Sequence, residues 1–265
     1  MMNLLKLEFR KLKGYRPFWV LLILHYGFLF IGMASLSGIL SQIEFSGQGF
    51  SFTKRALYAF PDVWQNLGFT AKWFASFLGI LVINSLTNEY SYRTNRQNII
   101  DGLSRTQFVT SKVLLVFTMA LLGTVFLWLA GTILGATNSS FKGYFTGWSF
   151  LGGYFVSVAG FYMFCLFIGI LVRRAAPAIL VLLGYATIMQ GLYRWKLPEP
   201  LLSYRPLKAF GSLVQEPFRR YIPLDTDAMF GELVDYVPLD SLVASLVWLG
   251  VFMGACYYIE NRRDL

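Results

Sequence analysis

The residue types that most often do chemistry are scarce in this chain. It has one histidine, His25, and two cysteines, Cys165 and Cys256, and all three fall inside apolar stretches. A lone thiol in apolar surroundings is neither a zinc ligand set nor an activated nucleophile, so both cysteines read as free and buried. The densest carboxylates are Asp225, Asp227, Glu232, Asp235 and Asp240. They could hold a metal ion, but they come without a histidine cluster or an H-E-x-x-H helix motif, and a solvated acidic stretch is the simpler reading. No G-x-x-x-x-G-K-[ST] loop is present, so ATP is not cradled here by a P-loop. What stands out is basic: 23 Lys and Arg against 14 Asp and Glu, a net charge of +9. These residues suit binding and anchoring, and the chain does not read as an enzyme.

The elements that carry those charges follow from composition. Of the 265 residues, 56% are apolar and 14% charged, with a mean hydropathy of +0.54. A water-facing surface needs more charge than that, about 25% in an ordinary soluble domain. A soluble enzyme, a disordered chain and a disulfide-stapled secreted domain are excluded as whole-chain descriptions. The basic excess therefore reads as the flanks of membrane spans, not as a nucleic-acid surface.

Six stretches approach the roughly 20 apolar residues that a helical span needs. They are about 18–40, 70–88, 110–137, 149–172, 177–192 and 241–259. Their apolar runs are continuous instead of alternating, so helices are expected and not barrel strands. None contains Asp, Glu or Arg. That argues against a secondary transporter or channel, which places ionisable groups at membrane depth. His25 reads as a packing or hydrogen-bonding residue, and Lys72 as the edge of a span.

With the N-terminus inside, the inner segments carry 13 of the 23 basic residues against five acids. The longer outer segments carry ten against nine, which satisfies the positive-inside rule with both termini cytoplasmic. The first apolar run exceeds the 7–15 residues or so of a cleaved signal core. Residues 1–16 form a separate amphipathic element. Leu5, Phe9 and Leu12 share one face, Lys6, Arg10 and Lys13 another, and Gly14 and Pro17 break it from the first span. With Trp19, the basic face suits the headgroup layer.

On the outer side, Pro61-Asp62 is expected to start a short helix carrying Val63, Trp64 and Leu67. The proline-rich loop 193–240 is expected to form short helices over the outer face. The glycine pairs Gly131/Gly135 and Gly250/Gly254 read as packing positions within one subunit.

The informative segment is 89–105. Thr94 followed by Gln97 is a capping-box pattern, and Gly102 supplies a left-handed stop, which brackets a short helix over Asn95–Asp101. Ser104 and Gln107 repeat the pattern and open the third span. So short a helix is marginal alone and needs a surface to dock on through Ile99, Ile100 and Leu103.

The pattern Glu89-(x4)-Thr94-(x6)-Asp101-Gly102-(x2)-Arg105, ending in Ser111-Lys112, resembles the cytoplasmic segment of ABC-2-type transporter permeases. So do the six-span layout, the basic amphipathic N-terminus and the large last outer loop. The resemblance implies an all-α integral membrane protein: an N-terminal elbow helix, six transmembrane helices, a short cytoplasmic coupling helix and a helical outer loop before the last span. It implies one permease domain over residues 1–265, acting in an ATP-driven exporter of the bacterial cytoplasmic (inner) membrane.

Its partners would be two copies of a separate ABC ATPase, a second permease subunit in a homo- or heterodimer, the lipid bilayer and accessory subunits, with no nucleic acid. No cofactor is implied on this chain, ATP and Mg belonging to the ATPase. Carried over by position, Thr94, Arg96, Gln97, Ile99, Ile100, Asp101 and Gly102 form the coupling helix, and Glu89 anchors its base. Arg93, Arg96 and Arg105 meet the ATPase or lipid phosphates, and Arg173 and Arg174 make a second, smaller contact.

Overall fold

The computed structural model describes residues 2–41, 57–189, 204–221 and 234–263. Among them there is no strand. The helices in chain order are α1 (Met2–Lys13), α2 (Arg16–Ser41), α3 (Val63–Ser91), α4 (Thr94–Ile100), α5 (Arg105–Asn138), α6 (Ser149–Val172), α7 (Ala175–Gly184), α8 (Pro206–Ser212) and α9 (Leu239–Arg262). Five of them, α2, α3, α5, α6 and α9, are long and apolar enough to cross a membrane. The expected fifth span, 177–192, is met by α7 and a π turn over Tyr185–Met189, an apolar stretch shorter than a span. Its last residues lie outside the described ones.

The bundle is built around α3 and α6, the most enclosed of the five, with α2 and α9 at its periphery. In a bilayer, lipid tails are as apolar as a core, so close packing and not exclusion from water must hold helices together. Glycines supply the closeness. A Cβ on Gly135 would fall 2.2 Å from the Phe60 ring, one on Gly131 2.6 Å from Trp64 and one on Gly160 2.3 Å from Phe210. The first GxxxG pair is thus an internal seat for two rings. The pair Gly250/Gly254 on α9 has nothing within 4 Å of either added Cβ among the described residues.

One expectation near α3 is corrected. Pro61-Asp62 does not begin a separate short helix. Val63, Trp64 and Leu67 form the first turns of α3, because all three are buried in phase with Ala71 and Ala75 and nothing interrupts them. Lys72, expected at a span edge, lies inside α3 and is half-buried. Its ammonium donates to the carbonyls of Gly211 (2.9 Å) in α8 and Val214 (2.6 Å) just beyond it.

Within the last loop, residues 204–221 lie over this end of the bundle. Arg220 bridges Asp62 and Asp235, and the Gln65 amide donates to the Val234 carbonyl at 3.1 Å. Asp225, Asp227 and Glu232 lie outside the described residues.

Candidate functional site

The site is at the opposite end of the bundle, where α3 turns into α4. Residues Tyr92 and Arg93 make the turn, Arg93 in a left-handed conformation (φ 57°). That tight turn corrects the expected capping. Thr94 is already inside the helix, and its hydroxyl donates back to the Glu89 carbonyl at 3.4 Å. Gln97 instead donates to Asp101 at 3.0 Å. The helix therefore runs Thr94–Ile100, one residue earlier than its sequence signals imply. The other boundary signals are present. Gly102 has φ +101°. Ser104 and Gln107 form a reciprocal capping box, 3.1 and 2.9 Å, that opens α5.

Glu89 stands where four helices meet. One carboxylate oxygen pairs with Lys112 of α5. The other accepts from Lys11 of α1 at 3.0 Å and from the Asn98 amide of α4 at 3.0 Å. Lys112 is 2% exposed and also pairs with Glu8 at 2.6 Å. Glu8, itself 1% exposed, accepts from Ser111 at 2.9 Å. Lys11 lies 3.6 Å from Glu8.

Two lysines and two glutamates thus balance in one buried network. Burial works against ionising the Glu8 carboxyl, but the charges of Lys112 and Lys11 outweigh it and hold its pKa below the ordinary carboxylate value. A cavity of about 510 Å³ opens beside the network, between α1, α3 and α4.

The sequence signal for Glu89 was positional, and Lys112 was visible as the end of a motif. Glu8 was missed. It lies on the same face of α1 as Leu5 and Leu12, where a glutamate breaks the amphipathic pattern. That break was the available clue, because an acid on a buried face demands a cation. The interfacial residues Lys6, Arg10 and Lys13 do lie exposed on α1. Trp19 is 47% exposed and donates its indole N–H to the Lys13 carbonyl at 3.0 Å, closing the end of α1.

On the other flank of α4, a second cleft of about 480 Å³ is lined by Tyr90, Ser91, Arg93, Asn95, Arg96, Val172, Arg173 and Arg174. Arg173, also left-handed (φ 59°), ends α6. Its guanidinium lies 4.9 Å from the Tyr90 ring centre and 3.7 Å from Glu260 of α9, and the Tyr90 hydroxyl donates to Glu260 at 2.7 Å. Arg105 does not join this group. It donates to the carbonyls of Arg263 (2.7 Å) and Asn261 (3.4 Å), which ties the start of α5 to the end of α9.

The two faces of α4 differ. Asn95 is buried, and Asn98 and Ile99 are half-buried against the bundle. Thr94, Arg96, Gln97, Ile100, Asp101 and Gly102 are exposed, Ile100 at 77%. Deep in the bundle, His25 is buried with Nδ1 2.8 Å from the Phe74 carbonyl. A carbonyl only accepts, so Nδ1 carries the proton. Nε2 meets no partner among the described residues, as suits a packing residue and not a proton relay.

The family model for ABC-2 family transporter proteins matches residues 4–189, from α1 through the π turn that follows α7. No curated protein is matched by the chain.

Proposed function

Since the chain belongs to the ABC-2 family of transporter proteins, and so is a multi-pass membrane permease, we propose that it is the transmembrane subunit of an ATP-driven exporter. Its α4 serves as the coupling helix for a separate ATPase. The observation that carries this reading is the outward face of α4. A seven-residue helix projects beyond the spans, is tied at its base through Asn98 and Glu89, and leaves Ile100 uncovered with Arg96 and Gln97 beside it. An isolated exposed isoleucine is ordinary. One at the tip of a helix too short to stand alone, held rigidly by a buried ionic base, is suited to enter a cleft on another protein.

No residue here is assigned to hydrolysis. ATP and Mg are held by the ATPase, two copies of which serve a permease pair, and nucleotide acts on this chain only if the ATPase binds one permease conformation more tightly than another. In this reading α1, α4 and both termini face the cytoplasm at a bacterial inner membrane, which the excess of basic residues on those segments supports.

The test is affinity purification of the chain with its native neighbours in mild detergent, with stoichiometric partners identified by mass spectrometry. Wild type is expected to retain a P-loop ATPase, and Ile100→Asp and Arg96→Glu to lose it while inserting into the membrane normally. Undiminished ATPase capture by both variants refutes the coupling role of α4.

A further inference from the structure

We propose that the arginine cleft between α4 and the α6–α7 turn is a binding site for the phosphate of an anionic phospholipid headgroup. Four guanidinium groups line one opening: Arg93, Arg96, Arg173 and Arg174. Glu260, beneath it, pairs only with Arg173 among them. The side chains of Arg93, Arg96 and Arg174 have no hydrogen bond or ion pair among the described residues, and the Arg173 Nε is buried without a partner among them. Four positive charges against one negative, held within a cleft of about 480 Å³, repel one another until an anion enters. Guanidinium forks bind the oxygens of a phosphate in pairs, as they do those of a carboxylate, and a cluster of four suits the multiply accepting phosphate group.

The position of the cleft selects the source of that phosphate. Arg93 lies two residues past the end of α3, and Arg173 directly follows α6. Both helices are long and apolar enough to cross a membrane, and basic residues at the ends of such helices suit headgroup depth. One side of the opening adjoins apolar residues of α6. Val172 lines the cleft, and Leu171 next to it is 44% exposed on α6. An anion with acyl chains satisfies both parts at once; a free anion uses only the first. Two left-handed arginines, Arg93 just before α4 and Arg173 just after α6, line the same opening. The ATPase-facing surface of α4 is centred on Ile100, which does not line this cleft; the two surfaces share Arg96, so the lipid reading is tested at Arg93 and Arg174, which flank α4.

The experiment is thermal unfolding of the delipidated full chain in neutral detergent. It is titrated with short-chain phosphatidylglycerol, short-chain phosphatidylcholine or inorganic phosphate. Phosphatidylglycerol is expected to raise the melting temperature saturably and phosphatidylcholine not to. The effect should weaken with added salt because the cleft is open to solvent.

In the double variant Arg93→Gln/Arg174→Gln, both sites being exposed and free of structural bonds, the apparent affinity for phosphatidylglycerol should fall at least about tenfold. Inorganic phosphate acting as strongly as phosphatidylglycerol would overturn the lipid assignment. So would a response undiminished in the double variant, or no saturable response at all. ATPase capture by the same variant separates the two readings. Capture retained with the lipid response lost supports a lipid site. Capture lost with the lipid response intact makes the cleft a protein interface and overturns the proposal.

Discussion

Replacing Lys112 by methionine is the sharpest perturbation of the ionic base under α4. The side chain is 2% exposed and is shared by Glu8, 1% exposed, and Glu89, 6% exposed. Methionine keeps most of the volume and removes the charge, leaving two carboxylates in nearly dry surroundings. Removing one partner of a buried pair costs about 3–5 kcal/mol. Two observations place the cost at the lower end, about 3 kcal/mol. Lys11 remains 3.0 Å from Glu89 and 3.6 Å from Glu8, and the neighbouring cavity of about 510 Å³ keeps water within reach.

Glu8→Gln in the same protein removes the charge that has lost its partner. The double variant should therefore be more stable than Lys112→Met alone, with a coupling energy of about 1–3 kcal/mol. Equilibrium unfolding in mixed micelles of wild type, both single variants and the double variant measures this cycle. Additivity within about 0.5 kcal/mol would refute the buried network.

The same carboxyl fixes a pH dependence. Its pKa is lower folded than unfolded, so its stabilisation is complete above the unfolded value near 4.5. It is lost as the pH falls through the folded value. Stability should decline below about pH 4.5 in wild type, less steeply in Glu8→Gln; equal slopes would show that Glu8 is not held by its lysines.

Glycines give a paired control on helix packing. Gly135→Ala forces a Cβ to within 2.2 Å of the Phe60 ring and should destabilise by about 1–3 kcal/mol. Gly250→Ala meets nothing within 4 Å and should leave stability unchanged or slightly raised, both read as melting temperature in one detergent. Gly102→Ala places a side chain at φ +101°, at a cost of about 1–2 kcal/mol. It should reduce ATPase capture in the purification assay while Ser104→Ala, which removes only the cap of α5, reduces it less.

The parts of this fold that were legible in the sequence are those written in local signals. Apolar run length gives α2, α5, α6 and α9 to within a few residues. Gly102 and the Ser104–Gln107 box give the boundary between α4 and α5, because both act over three or four residues. Long-range partners are where local reading stops. Thr94 and Gln97 carry the same box pattern as Ser104 and Gln107. Yet Thr94 bonds to Glu89, because the chain arrives from α3 through a tight turn that leaves no extended residue to act as the cap. Nothing near Lys72 in the chain announces its partners, the carbonyls of Gly211 and Val214 far along the sequence. Glu8 looks like one charge among several on a basic helix until Lys112 is seen to be buried beside it.

Those long-range partners also decide what α4 can transmit. Glu89 bonds simultaneously to α1, α4 and α5, so α4 cannot be displaced alone. Moving Asn98 away from Glu89 uncovers a carboxylate already committed to two lysines, and an uncovered buried acceptor is costly. Moving Glu89 with it carries α3, which Tyr90 links to Glu260 of α9 and to Arg173 at the end of α6. In the coupling role proposed for α4, a load on Ile100 would reach the ends of α1, α3, α5, α6 and α9 through two adjacent clusters, one balanced in charge and buried, the other in surplus of positive charge and open. The balanced cluster sets the stiffness of the lever. The open one, if it holds a lipid phosphate, makes that stiffness depend on the membrane around it.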